Sequence, residues 1–197
     1  KINVRQPQIR LSPQFTELGR HYQFVLSIED PDPEVTNGTG LSEVPDLVVS
    51  AQIGVDDRAH YKLALLLRDI RADWVTNPAA TEKELGWGAS FSGSVETPRW
   101  GEKDRIVFQI NAGKGIGRYV NDLNSVGDFD GFFSDTGELQ LLDTYAGYIS
   151  GQHWWHGTLR SNLTFGYVRL DSPDDVPDTL YEHTYRASVN LMWTPTP

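Results

Sequence analysis

The sequence predicts an all-β fold, an antiparallel transmembrane β-barrel of which about nine strands are present. Three observations predict it. Two-residue alternation recurs along most of the chain, long and short connections broadly alternate, and aromatic residues gather where the strands would end.

In chain order, the first strand, 2–11, changes parity at Pro7. Ile2 and Val4 share one register and Ile9 and Leu11 the other, so a bulge at the proline is expected. Tyr22, Phe24, Leu26 and Ile28 alternate in 20–29, and Leu47, Val49, Ala51, Ile53 and Val55 in 46–56. Strand 60–71 carries Tyr61, Leu63, Leu65 and Leu67. Strand 85–97 is the clearest, with Trp87, Ala89, Phe91, Gly93 and Val95 set against glycine and serine. Strand 104–113 sets Ile106, Phe108, Ile110 and Ala112 against Arg105, Gln109 and Asn111. Strand 138–150 has no clean parity. Leu159, Leu163, Phe165 and Tyr167 mark 156–170; Tyr185, Ala187, Val189, Leu191 and Trp193 mark 179–194. Several of these match the roughly 9–11 residues that cross a bilayer at a tilt. Bacterial single-chain barrels close with an even number of strands, so strands are expected to be missing from one or both ends. Lys1–Arg5 reads as a polar strand rather than a signal peptide, and the sequence is expected to begin on a mature or partial protein.

The connections are 12–19, 30–45, 57–59, 72–84, 98–103, 114–137, 151–155 and 171–178. Short periplasmic turns and longer extracellular loops are the habit of outer-membrane barrels. Charge sorts the same way: 30–45, 72–84, 114–137 and 171–178 hold 15 acids and 3 bases, and the rest of the chain 12 acids and 14 bases. In this orientation Tyr22, Trp100, Trp154, Trp155 and Trp193 fall at the periplasmic rim, and Trp87, Tyr167 and Tyr185 at the outer rim. The 114–137 connection is the longest, and Phe129, Phe132 and Phe133 make it too apolar for free solvation. It is expected to fold inward as a constriction or to latch a neighbouring subunit.

Composition excludes several functions. A net charge of −10 argues against a nucleic-acid footprint. The absence of cysteine excludes disulfides, thiolate metal sites and cysteine nucleophiles. No apolar run approaches the roughly 20 residues of a transmembrane helix. A mean hydropathy of −0.42 is compatible with a barrel, because lipid meets only every second residue. Gly113-Lys114-Gly115-Ile116-Gly117 lacks both the Gly-Lys-Ser/Thr of a phosphate loop and a following helix, so it reads as a strand ending in a loop. Asp128, Asp130 and Asp135 offer oxygen ligands for calcium without the EF-hand pattern, and no metal or other cofactor is expected. His153 and His156 sit three apart in a tryptophan-rich turn, which suits interface anchoring better than zinc. Asn37-Gly38-Thr39 matches a glycosylation sequon that has no meaning in a bacterial outer membrane. No motif flags any of the five histidines as catalytic, and no enzyme activity is expected.

The basic residues opposite the lipid face carry the functional expectation. Lys62, Arg68, Arg105, Arg160 and Arg186 lie on that side, a bulge at Pro7 would turn Arg5 and Arg10 to it, and Arg118 is expected to aim a charge at the pore. A basic lumen with low-dielectric walls concentrates anions. The alternative is that these side chains pair with luminal acids such as Asp56 and Glu96 and only hold the wall together. The leading function is a passive or weakly selective pore. An outer-membrane barrel enzyme of lipase type, an autotransporter-type barrel and a soluble all-β carbohydrate-binding module are its rivals.

Arg5-Gln6-Pro7-Gln8-Ile9-Arg10, Val44-Pro45-Asp46-Leu47-Val48, Leu65-Leu66-Leu67-Arg68 and Gly86-Trp87-Gly88 are segments that resemble the DcaP-like family of trimeric outer-membrane porins. More specific are Gly113 to Tyr119 and Gln152-His153-Trp154-Trp155. Arg160-Ser161-Asn162, Gly166-Tyr167 and Asn190-Leu191-Met192-Trp193-Thr194-Pro195 complete the set. The resemblance implies a homotrimer of 16-stranded barrels in the bacterial outer membrane, in contact with lipid and lipopolysaccharide and taking up small anionic solutes such as dicarboxylates. It also implies that an N-terminal portion, early strands and the closing C-terminal strands are absent here, with the terminal aromatic strand that would carry the assembly signal.

Overall fold

Alternating apolar and polar residues become paired strands along almost the whole chain. The computed structural model describes residues 7–55, 58–120, 123, 130–171 and 182–195. Its strands are β1 (Gln8–Leu11), β2 (Gln14–Glu17), β3 (Arg20–Glu29), β4 (Val35–Thr36), β5 (Gly38–Leu41), β6 (Asp46–Val55) and β7 (Ala59–Trp74). They continue with β8 (Asn77–Glu96), β9 (Arg105–Lys114), β10 (Gly131–Phe133), β11 (Leu139–Leu141), β12 (Asp143–His156), β13 (Leu159–Asp171) and β14 (His183–Trp193). One sheet runs β1-β3-β6-β7-β8-β9-β12-β13-β14, each strand antiparallel to the next, with β2 also on β3 and β5 also on β7. A small second sheet, β11-β10-β4, is formed by the long connections. The main sheet is open: among the described residues β1 and β14 are its edges and do not pair with each other.

The nine strands of the main path correspond to the nine expected, with four differences in strand extent, and the expected connections 30–45 and 114–137 also hold the short strands β4, β5 and β10. The expected connection 12–19 is largely strand. Leu11 faces Leu26 and Gln14 faces Gln23 in one unbroken register, so β1 and β2 are a single edge strand interrupted at Ser12-Pro13. The turn itself is Leu18-Gly19, at φ 51° and 73°, the positive pair that a two-residue hairpin of the right twist requires. The expected bulge at Pro7 depends on residues 1–6, outside the described residues. The second difference is 72–84, which extends the β7–β8 hairpin as far as Trp74 and Asn77. The third is 138–150, where Leu139–Leu141 joins the small sheet and β12 starts only at Asp143. The fourth is 151–155, which is strand: β12 runs to His156, with a bulge at Trp155.

Cross-strand pairing puts the apolar residues in continuous rows on one face. Phe24, Ala51, Leu63, Phe91, Ile110, Gly147, Tyr167 and Tyr185 form one such row. Tyr22, Ile53, Tyr61, Gly93, Phe108, Ile149, Phe165 and Ala187 form the next. Gly93 leaves room for aromatic cover: a Cβ there would come within 2.9 Å of both the Tyr61 and Phe108 rings. This apolar face is open, with Ile9 74%, Tyr185 71% and Val189 73% exposed. The buried core lies on the opposite, polar face. Two clusters form there, one of Val120, Leu123, Phe132, Leu142, Ala146, Val168 and Leu170, the other of Val35, Ile70, Ala72, Phe133, Leu139 and Leu141 with Trp74 against it. Both arise where the long connections fold back onto the sheet.

Candidate functional site: the polar wall and its infolded segment

The second residue of each alternating pair builds the polar wall. One row holds Gln23, Gln52, Lys62, Ser92, Gln109, Tyr148, Gly166 and Arg186. Two rows toward the short turns stand Glu96, Arg105, Gln152, Asn162 and Asn190, and beyond them Trp154, Arg160 and Met192. The amide of Gln109 donates to Asn111 Oδ1 at 2.9 Å. The Glu96 carboxylate receives Arg105 Nη2 at 3.2 Å.

At the other end, the segment after β9 folds over this wall. It leaves the sheet at Gly115, whose φ of +69° and whose Cβ position, 2.6 Å from Ile70 Cδ1, suit glycine alone. A 3-10 turn, Gly117–Tyr119, follows, and Ile116, Val120 and Leu123 are buried. Beneath it a cavity of about 270 Å³ is lined by Glu29, Val48, Leu66, Ser90, Gln109, Asn111 and Tyr119, among others. The described residues of this connection lie over the polar face of the sheet; Asp128 and Phe129 lie outside them.

Arg68 fastens the segment to the wall. Its Nε donates to Asp46 Oδ2 at 2.9 Å, and Nη1 donates to Asp130 Oδ1 at 2.7 Å and to the Gly115 carbonyl at 2.6 Å. Nη2 donates to the Pro31 carbonyl at 2.8 Å. The Tyr119 ring lies 5.3 Å from the guanidinium, and its hydroxyl donates to Asp46 Oδ2 at 2.8 Å. Asp130 also accepts from the backbone N–H groups of Arg118 and Glu34. Burial pushes its carboxyl above the ordinary value, against the pull of Arg68 and these N–H groups. Arg118 pairs with Asp32 Oδ2 at 2.8 Å and donates to the Pro31 and Asp32 carbonyls.

The basic candidates thus divide. Arg10, Lys62, Arg105, Arg160 and Arg186 belong to the polar wall. Arg68 and Arg118, expected from the sequence to meet solute, are instead buried in ion pairs, because the infolded segment covers that end of the wall. Arg5 lies outside the described residues. Of the calcium candidates, Asp130 engages both oxygens in the Arg68 network, Asp135 sits exposed in the Ser134–Gly137 turn, and no metal-binding cluster occurs among the described residues. Trp154, expected at the lipid rim, is on the polar wall; Trp100, Trp155 and Trp193 are exposed. Sequence reading missed Asp32 and Asp46 as partners, although two arginines on one covered face require acids, and Asp46 opens a strand beside them.

An all-β, largely antiparallel sheet with an exposed apolar face and a segment folded over its polar face has a porin-like fold. Among solved structures, the chain is similar to the crystal structure of the outer membrane channel DcaP of Acinetobacter baumannii, with a TM-score of 0.77 and 16% identity. The match covers 98% of this chain and 53% of that one, so this chain spans about half of the matched channel. No protein-family model and no curated protein sequence matches the chain. The likeness is one of fold.

Proposed function

We propose that this chain is part of an outer-membrane β-barrel pore for small hydrophilic solutes, passing anions in preference to cations. One observation carries the reading. The sheet is inverted relative to a soluble protein, with apolar rows exposed across its strands and the buried clusters on the opposite, polar face, which the long connections cover at one end, as lipid outside and water inside demand. The fold shared with an outer-membrane channel supports it. Arg10, Lys62, Arg160 and Arg186 put fixed positive charge on the polar wall, where Arg105 is paired with Glu96, and Arg5 belongs to the same proposal. Carboxylates such as dicarboxylates are the anions such groups grip best. Contact with lipopolysaccharide and a homotrimeric assembly are parts of the same proposal, which involves no cofactor and no catalysis.

Reversal potentials of the full-length protein in planar bilayers test it. Chloride is expected to permeate better than matched cations, with a preference that fades as salt screens the wall. Lys62→Glu with Arg186→Glu, and separately Arg105→Glu with Arg160→Glu, are expected to shift the reversal potential toward cations. An intrinsic cation preference in the wild-type pore overturns the anion assignment, and absent conductance overturns the pore.

A further inference from the structure

At the long-connection end of the sheet, β9 stops before its neighbour β8 does. The positive φ of Gly115 turns the chain inward, and the Gly115 N–H donates to the Leu142 carbonyl at 2.9 Å, so Lys114 is the last residue of the strand. β8 does not turn with it. Its ladder with β7 continues to Asn77, whereas its ladder with β9 ends where Trp87 meets Lys114. Among the described residues, the side of β8 away from β7 therefore pairs with no strand from Asn77 to Gly86. Residues 81–85 of this edge are exposed.

Where a longer β9 would run there is instead a cleft of about 640 Å³. Glu82 and Glu84 of β8 line one side of it, and Asp143 and Asp171, where β12 begins and β13 ends, line the other, with Lys114 and Glu138 also in its wall. An unpaired strand edge offers backbone N–H and C=O groups to another extended chain. Pro78 blunts this edge near the hairpin tip, as prolines do on edge strands, and leaves 79–85 open. The lining beside it is acidic, five carboxylates against one lysine, and among the described residues only Asp171 of the five is in an ion pair, with Arg169. An extended segment carrying lysine or arginine satisfies both the edge and the charge. The long connections of a second copy do not supply one, since they hold 15 acids and 3 bases.

We propose that the edge of β8 at 79–85 is a docking site for an extended basic segment of another protein, which adds to β8 as a strand in the place a longer β9 would take. Main-chain hydrogen bonds hold the segment, and every second side chain brings its charge to Glu82 and Glu84, which two-residue alternation puts on one face. Asp143, Asp171 and Glu138 continue the acidic wall beyond them. Binding requires neither conduction nor closure of the sheet, so it stands apart from the pore reading.

A fluorescently labelled peptide of alternating lysine and threonine, titrated into the full-length protein in non-ionic detergent, is expected to bind saturably by anisotropy and more weakly as salt is added. Glu82→Gln with Glu84→Gln, both on the exposed edge, is expected to weaken binding about tenfold, the effect of losing hydrogen bonds to charged acceptors. N-methylation of alternate backbone amides in the peptide, which removes ladder donors and keeps every charge, is expected to weaken it by a similar factor. A peptide of alternating glutamate and threonine is expected not to bind. No binding of the lysine peptide by wild type, or equal affinity in Glu82→Gln/Glu84→Gln, overturns the site. Equal affinity for the N-methylated peptide overturns strand addition, and equal affinity for the glutamate peptide overturns the basic partner. Peptide binding without conductance overturns the pore and leaves the docking site standing.

Discussion

Arg68 is enclosed by two carboxylates, two carbonyls and an aromatic ring, so removing it strands acids away from water. Arg68→Met is expected to cost about 3–5 kcal/mol, the usual consequence of breaking a buried pair from one side. Unfolding of the detergent-solubilised protein in guanidinium chloride measures this, and Arg68→Met with Asp130→Asn is expected to lose less than the two single variants summed. Asp104 makes a pH-dependent contribution. Burial works to raise its carboxyl, but the hydrogen bonds from His153 and the Trp154 N–H outweigh this and hold it below the ordinary carboxylate range. A depressed carboxyl stabilises the folded state above the unfolded value of about 3.9, and that stability is lost as the pH falls through the lower folded value. Asp104→Asn is therefore expected to flatten the acid limb of the stability profile while leaving the neutral region less stable.

The infolded segment depends on its hinge. Gly115→Val adds a branched side chain at positive φ and against Ile70, and is expected to displace the segment from the wall. Single-channel conductance is then expected to rise, as it is on deletion of 124–134; unchanged conductance in both would show that the segment does not limit flow. Elements differ in how legible they are from sequence. Strands with an exposed apolar face and a polar face opposite it, such as 85–97, show clean alternation and are found at once. The far part of the β7–β8 hairpin, Asn77-Pro78-Ala79-Ala80-Thr81, lacks that pattern and therefore reads as loop. Leu139–Leu141 shows the opposite failure: its apolar residues serve the small sheet, so no parity joined them to β12. In the site, the basic residues were legible from their strand parity. Their burial was not, because it comes from a connection distant in sequence.

Across the whole molecule, the two faces are expected to respond differently to the same substitution. Phe108 lies in an apolar row and its neighbour Gln109 on the polar wall. Phe108→Arg is expected to cost about 2–4 kcal/mol in lipid, and Gln109→Arg to be mild. Equal losses, measured as refolding yield into lipid vesicles, would contradict the assignment of the faces.

The rows of paired residues do not run parallel to the apolar belt. The row through Leu26 and Leu65 stays apolar as far as Tyr145 and then meets Arg169 and His183, while the row that ends on Leu163 and Val189 begins at Arg20. In a barrel of the proposed kind a level belt would cross the rows obliquely, so the strands would lean and closure of the sheet would absorb the offset as shear. The cations of the wall inherit that slant. Lys62 and Arg186 share a row yet stand at different heights relative to the belt, Lys62 nearer the short turns and Arg186 nearer the long connections. A solute crossing such a pore would meet its charges in succession, as steps of a ladder wound around the wall, rather than all at once in a ring.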